Sequence, residues 1–155
     1  MVAVIASMAM TAQACGSFVQ RGEKLTGGGE IGEGFFGDSV ALSSDGKRAL
    51  IGGPEDNGGV GAAWVFKRKG STWTQEAKLA GGGEIGEGAF GRSVALSSDG
   101  NTALIGAPDP LPGAALVFTR SGSGWTQEAK LTGVRPLASK GSAPAWRSPP
   151  TATRR

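Results

Sequence analysis

SVALSSDGKRALIGG, residues 39–53, returns as SVALSSDGNTALIGA at residues 93–107. Within this stretch the hydrophobic period is two rather than about 3.6, which is the pattern of a strand with one buried face. Val40 and Leu42 alternate with Ser39, Ala41 and Ser43. Ser44-Asp45-Gly46-Lys47 then supplies a turn, because Asp and Gly tolerate the positive φ that tight hairpins need. Residues 49–51 make a second short strand, ended by Gly52-Gly53-Pro54.

Outward from this stretch, other blocks recur with it. GGGEIGEG stands at residues 27–34 and again at 81–88, and WTQEAKL begins at Trp73 and again at Trp125. One unit runs over residues 24–77 and the next over 78–129, 54 and 52 residues long. The difference falls in one place, where PEDNGGVGAAWVF becomes PDPLPGAALVF. A length change confined to one spot marks a surface loop. After that loop comes a third strand over 61–67, with Trp64 and Phe66 on one face, and then a fourth over 73–79. Four short strands with no helical stretch cannot bury both faces of a sheet alone. Repetition supplies the cover, by stacking equivalent sheets on one another. Residues 16–23 read as the end of a preceding repeat, and a third unit opens at 130–133 before the match stops.

The unit resembles the FG-GAP repeat. Its name-giving residues stand as Phe36-Gly37 with Gly52-Gly53-Pro54, and as Phe90-Gly91 with Gly106-Ala107-Pro108. The bacterial variant, with an SxDG turn and a Trp-Thr-Gln strand, is the nearer likeness and covers roughly residues 18–133. The resemblance implies an all-β fold of tandem four-stranded antiparallel blades, as in the propeller of integrin α subunits. Two blades cannot close a ring, so it also implies an incomplete β-propeller that binds further blades of the same protein or self-associates through its open faces. For the parent protein it implies a non-catalytic, extracellular or cell-envelope binding or adhesion module that contacts a protein or glycan. The alternatives are a structural spacer in a large surface protein, or the propeller part of a secreted hydrolase whose active site lies in other blades.

Composition narrows the chemistry. The chain has 28 Gly, no His and one Cys, Cys15. The commonest general base and neutral metal ligand is therefore missing, as is any disulfide framework or Cys-rich zinc site. The net charge of +3 sits in the last 22 residues, which carry five basic side chains and no acid; the rest has 11 basic and 13 acidic residues. A nucleic-acid binder needs a basic face on its folded part, so nucleic acid is not an expected partner. Residues 1–15 are apolar and read either as a truncated signal peptide or as a degenerate strand, and they lack the opening Lys or Arg of an export signal.

Each candidate motif has a plainer structural reading. Some FG-GAP blades hold calcium in an Asp-rich loop between their first two strands. The matching segments here, around Asp45 and Asp99, offer one carboxylate each, where calcium takes about six to eight oxygens. They are hairpin turns first, and no cofactor is expected. Residues 27–32 and 81–86 fit GxGxxG, but a strand follows where a dinucleotide site needs a helix. Glu30 and Glu33, repeated as Glu84 and Glu87, occur in both units, whereas a catalytic pair is normally unique. Trp64, Trp73 and Trp125 suit packing between blades better than ligand stacking, since Leu116 replaces Trp64 in the second unit. The loop of variable length carries the partner-contact candidates Glu55, Asp56, Asn57 and Asp109.

From Val134 onward the composition turns to Pro, Arg and Ser, which reads as a disordered tail. AWRSPPTATRR, residues 145–155, can be encoded by codons that spell SVALSSDGNTA when read one nucleotide earlier, and that is the sequence of residues 93–103. The hypothesis is that the tail is a third repeat read out of frame. Sequencing the coding DNA tests it: the shifted frame is expected to continue as repeats, and DNA that cannot be rephased this way contradicts it.

Overall fold

The structure, a computed structural model, describes residues 20, 22–82, 87–108 and 112–133. The apolar segment 1–15 with Cys15, residues 83–86 with Glu84, Asp109 and the tail from Val134 lie outside the described residues.

Among the described residues, two four-stranded antiparallel meanders account for the strands. The first contains β1 (Ser39–Leu42), β2 (Arg48–Gly53), β3 (Ala62–Lys69) and β4 (Thr72–Leu79). The second contains β5 (Ser93–Leu96), β6 (Thr102–Ala107), β7 (Ala114–Ser121) and β8 (Gly124–Thr132). Each pairs only with its sequence neighbours, so both sheets have the topology of a propeller blade. One short segment, Asp56–Gly59, closes helix-like hydrogen bonds, but Asn57 (φ 54) and Gly58 (φ 69) make it a left-handed turn.

The repeated sequence folds with a repeated register. Ser39 opposes Gly52 and Leu42 opposes Ala49, just as Ser93 opposes Gly106 and Leu96 opposes Ala103. The SxDG turn closes each pair. Gly46 donates to Ser43 O at 2.9 Å with φ 63, and Gly100 donates to Ser97 O at 2.8 Å with φ 70. Both third strands also carry the same irregularity against their neighbours. Val65 opposes Ala77 while Phe66 opposes Gln75, so Glu76 is the extra residue of a β-bulge. Glu128 is its counterpart between Ala129 and Gln127.

Strand alternation sorts the side chains into two cores. Leu50, Ala63, Val65 and Leu79 of the first sheet meet Ile105, Leu116 and Phe118 of the second, together with Phe90 from the segment ahead of β5. On the far face of the first sheet, Ile51, Trp64 and Phe66 are covered by Leu25 and Phe36 from the connector ahead of β1. Trp64 and Phe66 thus share one face, as the period of two implied. Phe36 meets Trp64 edge-on at 5.3 Å, and Phe90 meets Phe118 edge-on at 6.0 Å. Such aromatic pairs contribute about 0.5–1.5 kcal/mol beyond the area they bury.

The Phe-Gly pair and the glycine-rich strand end are joined within each unit. Gly37 donates to Gly52 O at 2.9 Å, and Gly91 donates to Gly106 O at 3.0 Å. The second Phe-Gly pair also lies against the backbone of the first sheet. Ala89 and Phe90 donate to Gly59 O and Val60 O at 2.9 and 3.1 Å, with a parallel bridge between Gly61 and Phe90. Ser39 Oγ donates to Gly91 O at 2.7 Å. A Cβ at Gly91 would overlap Ala62 O, and one at Gly52 would overlap Gly91 O.

This contact predicts a graded response to alanine. At Gly32 (φ 76) an added methyl would meet nothing within 4 Å, so Gly32→Ala carries only left-handed strain, about 1–2 kcal/mol. Gly91→Ala combines that strain (φ 93) with overlap on fixed backbone and is expected to cost at least about 3 kcal/mol. Urea unfolding followed by tryptophan fluorescence distinguishes them; equal losses would show that the close approach is not limiting.

Candidate functional site

The loop between β2 and β3 is built on the connector that precedes β1. Glu55 N–H donates to Gly34 O at 3.2 Å, and Asn57 N–H donates to Ile31 O at 2.8 Å. Asp56 is buried beneath the loop, where its carboxylate accepts from Ile31 N–H at 2.7 Å and pairs with Lys78 Nζ at 2.7 Å. Lys78 also donates to Gly29 O at 2.6 Å and lies over the Trp64 ring at 5.2 Å. One lysine on β4 therefore fastens loop, connector and core together. Of the loop candidates, Glu55 and Asn57 are exposed to solvent, while Asp56 holds the loop in place. Asn57 suits its left-handed φ, since Asn occupies that region more readily than most residues.

The connector uses its glycines for packing. Gly27 lies against Trp64 and Phe36 with no room for a Cβ. Gly28 N–H donates to Gln75 Oε1 at 2.7 Å, and Gly28 O accepts from Trp64 Nε1 at 3.0 Å. Glu30 turns back to accept from Gly34 N–H at 2.9 Å, while Glu33 and Glu87 are exposed. Trp64 is fully buried. Trp73 is half-buried with the Arg68 guanidinium 5.7 Å over its ring, and Trp125 packs at the edge of the core between the sheets.

Both turn aspartates are spent on their own turns. Asp45 Oδ1 accepts from Lys47 N–H at 2.9 Å and from Ser43 Oγ at 2.7 Å. Asp99 Oδ1 accepts from Ser97 Oγ at 2.5 Å and from Asn101 N–H at 3.0 Å. These bonds favour the ionised form. The Lys47 N–H and then the Ser43 hydroxyl hold Asp45 below its ordinary pKa, and the Ser97 hydroxyl and then the Asn101 N–H do the same for Asp99. Among the described residues no three His, Cys, Asp or Glu side chains converge as a metal set. The two turns are stacked, with Ser44 N–H donating to Ser98 O at 3.0 Å.

Glu76 forms a clamp that single-unit reading of the sequence missed. As the extra residue of the β4 bulge it faces the second sheet beside Ala77, and bulges commonly re-aim a side chain in this way. Its carboxylate accepts from Arg48 Nε of its own sheet at 3.0 Å and from Arg120 Nε of the other at 2.9 Å. All three side chains are largely shielded from solvent. Burial alone would raise the Glu76 pKa, but the hydrogen bonds from Arg48 and Arg120 outweigh it and hold the carboxyl below the usual range.

The fold and this junction define a class: a protein of tandem, propeller-type four-stranded blades. Residues 73–118 match the FG-GAP repeat, a stretch running from the start of the last strand of the first sheet into the third strand of the second. Over these residues the chain carries an FG-GAP repeat. Comparison with curated proteins returned no match.

A depressed carboxylate contributes stability that is complete above its unfolded pKa and lost as pH falls through its lower folded pKa. Acid unfolding should therefore include a Glu76 contribution between the ordinary glutamate pKa and the folded value below it. Glu76→Gln is expected to cost about 2 kcal/mol at neutral pH and to flatten that part of the pH–stability curve. Urea midpoints measured from neutral to acidic pH check this; an unchanged slope in Glu76→Gln would contradict it.

Proposed function

We propose that this chain is a non-catalytic binding module of the β-propeller type. It works in an extracellular or cell-envelope setting and contacts a protein or glycan through the loop between β2 and β3. The observation that carries the reading is the division of labour within that loop. Asp56 and Lys78 anchor it to the blade, and Glu55 and Asn57 stand exposed at its surface. A rigid scaffold presenting a variable loop is a common way to build recognition. The same loop is the one place where the two units differ in length.

The state of the carboxylates favours binding over acid–base chemistry. Glu30, Asp45, Asp56, Glu76 and Asp99 each hold a backbone or side-chain partner of the blade itself. A carboxylate committed in this way supports the scaffold rather than a proton transfer. The extracellular setting rests on the family resemblance.

The test is binding of the intact chain to a glycan array and to a panel of purified extracellular-matrix proteins. The wild type is compared with Glu55→Lys combined with Asn57→Gly, a change that preserves the left-handed turn. Binding that falls by about tenfold or more in the variant, whose circular dichroism is unchanged, is the expected result. Absence of binding to every member, or binding indifferent to the loop, would contradict the proposal.

A further inference from the structure

Equivalent residues of the two units are buried on different terms. Leu50 and Leu79 are 0% and 5% exposed in the contact between the sheets, whereas their counterparts on the open face of the second sheet, Leu104 and Leu131, are 41% and 54% exposed. On the opposite side, Val94 and Leu96 pack into that contact, while their counterparts Val40 and Leu42 are 68% and 62% exposed. Identical SVAL strands thus show opposite burial patterns, with Ala41 facing the neighbouring sheet in β1 and Val94 and Leu96 facing it in β5. The two open faces are the two halves of an interface the molecule already makes once internally.

We propose that these faces dock on each other between copies of this chain, head to tail, repeating the internal contact. The open face of the second sheet then receives the connector and first sheet of the next copy.

Three further features fit that occupant. The first is a hollow of about 430 Å³ on the open face, lined by Gly113, Ala114, Ala115 and Leu131 among others. These are the counterparts of Gly61, Ala62, Ala63 and Leu79, around which Phe90 is placed by the Gly61 bridge and the shared core. Phe36 of a second copy is the residue equivalent to Phe90.

The second is volume. Phe35, 62% exposed and left-handed at φ 53, stands where the second unit has the buried Ala89, left-handed at φ 49. The larger side chain therefore meets the shorter loop, since the second unit lacks two residues there.

The third is charge. Glu128 is the bulge counterpart of Glu76 and is exposed on the open face, where it accepts from Thr119 Oγ1 at 2.6 Å. Arg68 is the counterpart of Arg120 and lies over Trp73 at the other open face. Docking brings Glu128 of one copy to Arg68 of the next, as Glu76 meets Arg120 within the chain.

A head-to-tail contact generates a ring when its rotation closes. Propellers typically have about four to eight blades, so copies that each contribute the two described blades close with about two to four chains. Sedimentation velocity and native mass spectrometry on the full chain test this. The expected result is one discrete assembly in that range. Arg68→Glu and Glu128→Arg singly are expected to weaken it by about tenfold or more through like-charge contact, and the double variant is expected to recover it. Leu131→Asp, at a side chain exposed in the single chain, is expected to abolish assembly with the circular dichroism spectrum retained. A chain that stays monomeric at its highest soluble concentration would overturn the proposal. So would an assembly indifferent to both reversals, or a double variant that fails to recover.

Discussion

The structure depends on a contact in which backbone meets backbone. Phe90 and Gly91 lie on the strand ends at Gly52, Gly53, Gly61 and Ala62 so closely that neither Gly52 nor Gly91 leaves room for a Cβ. Two amides ahead of the second sheet reach carbonyls of the loop leading into β3 there, and a side-chain hydroxyl adds a third bond. Sheets held at this distance can interlock Leu50, Val65, Ile105 and Leu116 between them. The glycines of the repeat thus act through absence of volume more than through flexibility. That explains why the Phe-Gly and Gly-Ala/Gly-Pro elements belong together, as the two ends of one hydrogen bond within a unit and as touching surfaces between units.

Electrostatics reinforce the same junction from its outer side. A bulge is a local cost in ladder hydrogen bonds, and here it releases Glu76 from strand alternation so that it joins Ala77 in facing the second sheet. One carboxylate shared by two guanidinium groups, mostly out of water, favours one spacing and one orientation of the sheets. On the other face of the same strand, Lys78 ties Asp56 and the connector to Trp64. Neighbouring residues of β4 therefore serve different ends, one joining blades and the other shaping the exposed loop.

Much of the fold was legible because the repeat shows every signal twice. The strand at residues 39–42, the SxDG turns and the Trp64–Phe66 face follow from local rules and appear in the structure within a residue or two. In β1, however, the inward face is Ala41's, and the apolar Val40 and Leu42 point outward. The clamp was not legible. Arg120 lies 44 residues from Glu76, and WTQEAKL read as a regular strand sends Glu76 away from Ala77; only the bulge reverses it. The loop candidates Glu55, Asp56 and Asn57 follow from the length difference between units, but length says nothing about which side chain turns inward. Asp56 does so because Lys78 waits beneath it, a pairing between distant positions that the repeat pattern does not encode.

The second Phe-Gly segment is bonded to the edge of the first sheet, and this bond sets how the two blades meet. Amide hydrogen exchange of Ala89 and Phe90 tests it most directly, because their acceptors, Gly59 O and Val60 O, belong to the loop that leads into β3. Both amides are expected to exchange as slowly as those in the middle of β3 and β7. Exchange at the rate of the exposed turns would mean that the two sheets fold side by side without this junction.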